Sequence, residues 1–249
     1  MSETRDDLIF GVNPVLEALR AGRAFRRLLI QRGRRGGEID TIVEAAHARS
    51  IPIVHEPREA LDRLVGTPKH QGIVAQTAGA AYRPFEDLLK DAARQPGGPF
   101  LVVLDGVEDP RNLGAIARTS EAVGAGGLIV PERRAAGITP VAMKASAGAL
   151  SHLPVAQVTN LARALKALKD AGCWLVGLDA SSPTLYTDVD YRGPLAVILG
   201  HEGEGLRNLT LKACDFRVRI PMLGRIDSLN VSVAAGVVLY EALRQRRSG

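Results

Sequence analysis

The 249-residue sequence is poor in several things, and each scarcity removes a class of chemistry. It has two cysteines, Cys173 and Cys214, far apart and without metal-ligand spacing. A disulfide framework and a metal centre are therefore not expected, and both thiols read as buried and free. Aromatic residues make up only 4%, too few for an extended base-stacking platform. No apolar run reaches the ~18 residues of a membrane span. The opening MSETRDDLIF puts acids where a signal peptide carries a basic head and an apolar core. The expectation is a cytoplasmic protein with no membrane partner.

The dinucleotide fingerprint G-x-G-x-x-G is missing as well. Gly200, Gly203 and Gly205 follow the spacing G-x-x-G-x-G, and Glu202 and Glu204 stand among them. Carboxylates in such a loop repel a polyphosphate, so NAD and ATP fit poorly. A cofactor without phosphate, such as S-adenosylmethionine, would be tolerated.

What the chain does have is positive charge and a regular alternation. The formal net charge is +5 and the pI about 9.5, a pointer toward nucleic acid. Arg23, Arg26, Arg27, Arg32, Arg34 and Arg35 share one acid-free stretch, partly a glycine-rich loop. Such a stretch is either a solvated face or a set of phosphate contacts, and the clustering favours phosphate. Strands at Leu28–Ile30, Ile51–Val54 and Gly72–Gln76 alternate with helices at Ile39–Ala48 and Glu59–Val65. Another helix opens with Asn13 as cap and Pro14 at its first position. Residues 1–77 form a small α/β domain, 78–99 a linker with one short helix, and 100–249 a larger α/β domain. In the larger domain, apolar strands at Phe100–Leu104, Leu128–Val130, Cys173–Leu178 and Leu195–Leu199 alternate with helices at Leu113–Val123, Pro140–Leu150 and Leu161–Ala171. That pattern implies a mostly parallel sheet covered on both faces. Ligands of such sheets bind outside the carboxyl ends of the strands. The stretch from Leu195 to Gly236, where two strands release into Gly- and Asn-rich loops, is the natural place.

Three blocks carry a resemblance. They are Asn112-Leu-Gly-Ala-Ile-Ala-Arg118, Leu199-Gly-His-Glu-Gly-Glu-Gly205, and Ile220-Pro-Met-Leu-Gly-Arg-Ile-Asp-Ser-Leu-Asn-Val-Ser-Val-Ala-Ala235. In order and approximate spacing they resemble the motifs of the SpoU branch of the SPOUT methyltransferases, also called the TrmH family. Gly11-Val-Asn-Pro-Val-Leu-Glu-Ala-Leu19 and His70-Gln-Gly-Ile-Val-Ala75 resemble the ribosomal-protein-like RNA-binding domain of the RlmB-type enzymes. The resemblance implies a C-terminal parallel-sheet domain with a trefoil knot, S-adenosylmethionine as cofactor, no metal, and a homodimer. It also implies 2′-O-methylation of a guanosine ribose in the peptidyl-transferase P loop of 23S rRNA. A tRNA ribose methyltransferase, or a non-catalytic ribosome-assembly factor that keeps the fold, are the alternatives.

By that resemblance Arg118, Asn112, Glu202, Ser228 and Asn230 are catalytic or position the substrate. Gly200, Ile220 and Leu229 contact the cofactor, mainly through backbone. From the residues alone, Arg118 reads first as a surface arginine. Asn112, Glu202, Ser228 and Asn230 read equally as helix caps. A free arginine is a poor base, so the expected role of Arg118 is to bind substrate phosphate and stabilise a developing alkoxide. Glu202 would orient Arg118 or the hydroxyl. Gly200 would keep the pocket clear of a side chain.

Overall fold

A computed structural model describes residues 8–20, 25–77, 82–225 and 227–247. The chain divides into two compact units, Met1–Ala81 and Tyr82–Gly249.

The first unit has four strands, β1 (Leu8–Phe10), β2 (Phe25–Gln31), β3 (Ile53–Glu56) and β4 (Ile73–Thr77), in the order β1-β4-β2-β3. Strand β3 runs parallel to β2, and β4 antiparallel to β1 and β2. Side chains alternate across a strand, so Leu28 and Ile30 point to one face of the sheet and Leu29 to the other. The first face packs under α1 (Val12–Arg20) and α2 (Glu38–Ala48), through Val15, Leu16, Ile39 and Ile42. The second packs under α3 (Arg58–Val65), through Leu61 and Val65. Helix α1 begins at Val12, one residue before the expected cap at Asn13. Its first N–H donates to Gln71 Oε1 at 2.8 Å, 59 residues away. The cap is tertiary, and Pro14 sits within the first turn, where its missing N–H costs nothing.

The second unit is built on six parallel strands. They are β5 (Phe100–Asp105), β6 (Gly127–Pro131), β7 (Val155–Val158), β8 (Trp174–Leu178), β9 (Leu195–Gly200) and β10 (Phe216–Val218), in the order β10-β8-β9-β5-β6-β7. Every residue of β5 and β9 is buried, as an all-parallel sheet covered on both faces requires. One face carries α5 (Pro110–Ala122), α6 (Pro140–Ala145) and α9 (Val231–Arg247), with Leu113, Ile116, Val238 and Leu239 against Val102, Leu104, Val197 and Leu199. The other carries α4 (Phe85–Ala93) and α7 (Leu161–Asp170), with Leu88, Ala92, Leu165 and Leu168 against Leu101, Val103 and Ile198.

Two expectations change here. The segment expected as a linker belongs to the second unit from residue 82 onward. Arg83 N–H donates to Val155 O at 2.8 Å, and Leu88 and Ala92 of α4 are buried in the core. The helix expected over Pro140–Leu150 stops at Ala145 and gives way to a single 3-10 turn at Ala149–Ser151. Ser146 Oγ donates to Met143 O and accepts from Leu150 N–H, which ties the two pieces together. A short helix, α8 (Asn208–Ala213), lies between β9 and β10 and was not expected. Both cysteines are free; Cys173 is buried and Cys214 half-buried, and burial pushes each thiol up to about 11. Among the described residues, no helix is long and apolar enough to cross a membrane, and no cluster of three or more His, Cys, Asp or Glu could hold a metal.

Near the amino ends of the strands, Arg246 of α9 gathers five backbone carbonyls. Its Nη1 donates to Tyr191 O (3.1 Å), Arg192 O (3.2 Å) and Gly193 O (2.6 Å), and its Nη2 to Gly97 O (3.3 Å) and Gly98 O (3.5 Å). The guanidinium also lies 5.1 Å from the Phe100 ring centroid. Burial holds its pKa below the usual arginine value. Charge-assisted bonds and the ring contact together imply that Arg246→Ala costs the second unit about 2–4 kcal/mol. An ammonium is a single point donor, so Arg246→Lys should recover less than half. Urea unfolding followed by the fluorescence of Trp174, the single tryptophan, measures both; a loss below about 0.5 kcal/mol would refute the tie.

Candidate active site

Three loops leave the carboxyl ends of β8, β9 and β10, and together with the start of α9 they enclose a cavity of about 500 Å³. That is the size of a site for a small molecule. The loop after β9 is the most constrained. His201 N–H donates to Gly205 O at 2.9 Å and Gly205 N–H returns to His201 O at 3.0 Å. The closed loop lies directly on Gly200. A Cβ there would stand 2.3 Å from the Gly205 carbonyl carbon and 2.4 Å from its oxygen. Glycine is required at 200 because of the loop's own backbone, and not, as expected, to keep a side chain out of the cavity. The loop's far end is pinned to β5. Arg207 N–H donates to Asp105 Oδ2 at 3.1 Å, and Arg207 Nη1 pairs with Asp105 Oδ1 at 3.3 Å. Asp105 is only 1% exposed.

This latch presents Glu202 to two helices. Glu202 Oε1 accepts from Asn112 Nδ2 at 2.9 Å, from Asn230 Nδ2, and from Val231 N–H at 3.4 Å. Asn230 Nδ2 also donates to Asn112 Oδ1 at 3.1 Å. All three contacts fall on Oε1, and Oε2 has no partner among the described residues. Asn112 is not a cap: Asp109 caps α5 by accepting from Arg111 N–H at 2.7 Å. Asn230 does both jobs. Its Oδ1 accepts from Ser232 N–H and Oγ at the start of α9, while its amide joins Glu202. A carboxylate beside the first N–H of α9 also sits at the positive end of that helix.

Of the residues expected at the site, Gly200, Glu202, Ile220, Ser228 and Leu229 line the cavity. Asn112 and Asn230 join it through Glu202. Arg118 does not. Six residues beyond Asn112, it lies about 9 Å along the helix and about 120° around it, and it is exposed. Glu202 therefore orients two asparagines rather than Arg118.

Sequence reading passed over the loop after β8. Asp179 lines the cavity, accepts from Ser181 N–H (2.9 Å) and Oγ (2.7 Å), and pairs with Arg217 at 3.7 Å. The signal was an Asp-x-Ser turn at the end of an apolar strand. His201 also lines the cavity, with Nδ1 buried and without a partner among the described residues. Among the described residues, the cavity lining carries the acids Asp179, Glu202, Glu204 and Asp227 and the single arginine Arg219, among apolar groups such as Leu178, Ile220 and Leu229. A polyphosphate is repelled here; a ligand with an apolar body and a positive centre fits.

In the first unit, Arg26, Arg32, Arg34 and Arg35 are exposed. Arg27 is half-buried and its Nε donates to Gln76 Oε1. Arg23 lies outside the described residues.

Two family models match the chain: "SpoU rRNA Methylase family" over residues 99–240 and "RNA 2'-O ribose methyltransferase substrate binding" over residues 8–83. A Bacillus subtilis protein named as the TrmH family tRNA/rRNA methyltransferase YacO is 44% identical over 240 residues, 96% of each chain. The crystal structure of the SpoU methyltransferase AviRb from Streptomyces viridochromogenes in complex with the cofactor AdoMet is 30% identical. It covers 97% of this chain and 91% of that one, with a TM-score of 0.66. An AdoMet-bound rRNA methyltransferase from Sinorhizobium meliloti matches 95% of this chain and 86% of that one, at 26% identity and a TM-score of 0.68.

If the backbone contact at Gly200 latches the loop, Gly200→Ala opens it. The Gly205 amide should then exchange with deuterium at least about tenfold faster than in the parent chain. Unchanged exchange would sink the latch.

Proposed function

The chain belongs to the SpoU/TrmH family of RNA methyltransferases, which use S-adenosylmethionine, and from that premise we propose that it methylates the 2′-oxygen of a guanosine ribose in the peptidyl-transferase P loop of 23S rRNA. The observation that carries the chemistry is the convergence of Asn112, Asn230 and Val231 N–H on one oxygen of Glu202, at the mouth of the strand-end cavity. The acid-lined, half-apolar cavity suits the cofactor, which supplies a methyl group on a sulfonium centre. Gly200, Ile220 and Leu229 hold it, and Asp179 is added to that set.

A methyl group carried on a sulfonium would need no protonation of its leaving group, so the chain has two tasks: to align the acceptor hydroxyl and to receive its proton. Glu202 Oε1 is occupied by its three donors, which fixes the carboxylate plane. Oε2 is left to accept the ribose hydroxyl and take its proton as the O–C bond forms and the C–S bond breaks. Asn112 and Asn230 act by holding Glu202, and Ser228 stands on the opposite loop to position the ribose. Arg118, exposed and away from the cluster, contacts substrate phosphate; the alkoxide role expected of it does not fit that placement. The arginines of the first unit, Arg26, Arg27, Arg32, Arg34 and Arg35, bind the RNA backbone. The trefoil knot, the homodimer and work in the cytoplasm belong to the same reading. Val233 (51% exposed) and Tyr240 (53%) on α9 leave apolar surface for a second copy.

Incubation with radiolabelled S-adenosylmethionine and separate samples of unmodified large-subunit rRNA and total tRNA tests the substrate. Label on a P-loop ribose is expected. Label on tRNA alone would keep the chemistry and overturn the substrate; label on neither RNA, with cofactor bound, would overturn both for free RNA. Glu202→Gln should lower kcat by about 10²–10⁴ with cofactor affinity within about threefold. An unchanged kcat would remove Glu202 from the proton's path.

A further inference from the structure

The turn His70–Gln71–Gly72 in the first unit plays no part in the reaction just described, yet it ties together α3, the start of α1 and the end of β2. The His70 ring is 1% exposed. Its Nδ1 accepts the Gly72 N–H at 3.0 Å, so the ring proton lies on Nε2 and is donated to Asp62 at 2.9 Å. Gln71 holds a left-handed backbone, with φ 55, and caps α1 through its side chain. Gly72, at φ 79, accepts the Gln31 N–H at 2.8 Å where β2 ends.

That strand end is the root of the arginine loop. Arg34 N–H donates to Gln31 O at 3.0 Å. The aliphatic stem of Arg34 lies over Gly72: a methyl group built there would stand 3.3 Å from Arg34 Cγ and 3.2 Å from Gln31 Oε1. An arginine free on a glycine-rich loop loses rotamer entropy when it grips a phosphate. An arginine whose stem already has a seat loses less.

We propose that the His70–Gln71–Gly72 turn is a positioning element that seats Arg34 for contact with an RNA phosphate. It rests on the reading that the arginine loop meets the RNA. Arg34 is the group that touches the substrate; His70 and Gly72 act through it, by fixing the floor on which its stem lies.

Steady-state methylation by the full chain, with KM for the RNA and kcat measured separately, tests this with Arg34→Ala, Gly72→Ala and the double variant. Losing one phosphate contact raises KM about five- to tenfold with kcat unchanged. Gly72→Ala should do the same, because the new methyl group meets only side chains that can move aside. The double variant should be no worse than either single one, since both remove one contact. Effects that multiply would mark a general loss of fold and overturn the proposal, as would a wild-type KM in Gly72→Ala. Gly72→Asn fills the same seat with a residue that tolerates the left-handed backbone, and must repeat the rise; a wild-type KM there would assign the alanine effect to strain alone. If Arg34→Ala itself leaves KM unchanged, the arginine-loop reading falls with the positioning role, while methyl transfer to RNA stands.

Discussion

One carboxylate oxygen ties the second unit's chemistry to its fold. Glu202 Oε1 draws donors from the first helix after β5 and from the start of the last helix, and it can reach both only because the loop carrying it is folded flat on Gly200. Negative charge at the head of α9 and neutral amides on either side make the cluster stable without a cation. Three distant pieces of chain are thus held together by a group that also faces a cavity. Polar networks of this kind specify one arrangement because each unmet bond would be costly.

The parallel sheet sets the stage for that network. Strands β8, β9, β5 and β10 run the same way, so their loops emerge at one end and share one space. Burial of both faces leaves the strand ends as the place where polar groups can gather, and Asp105 shows the transition. It is buried at the tip of β5, yet it is matched by Arg207 of the next loop. The opposite end of the sheet is closed by a different device, a guanidinium shared among carbonyls.

Much of this could be read from the residues, and the failures have a common cause. The apolar runs at Phe100–Leu104 and Leu195–Leu199 read as buried strands, and both lie at the centre of the sheet. The glutamate-bearing glycine loop pointed away from phosphate cofactors before any relative was considered. What escaped was whatever depends on contacts distant in sequence. The cap of α1 comes from Gln71, 59 residues on, and the partners of Glu202 lie 90 and 28 residues away. Asn112 looked like a cap because it precedes the apolar helix pattern; Asp109 and Pro110 begin the helix earlier, which turns Asn112 inward. Six-residue α8 is too short for periodicity to reveal. Residues 82–99 looked like a linker because their apolar positions find partners on elements distant in sequence, Tyr82 on one face of the sheet and Leu88 and Ala92 on the other.

The final helix supplies Asn230 at one end and Arg246 at the other, and so closes both ends of the second unit. During synthesis the first unit has every strand and helix it needs long before α9 is translated, and domains fold in the order in which they emerge. The second unit can neither complete the Glu202 network nor close the base of its sheet until α9 has cleared the ribosome. A nascent chain therefore has its amino-terminal fold in hand well before the strand-end cavity of the second unit is complete.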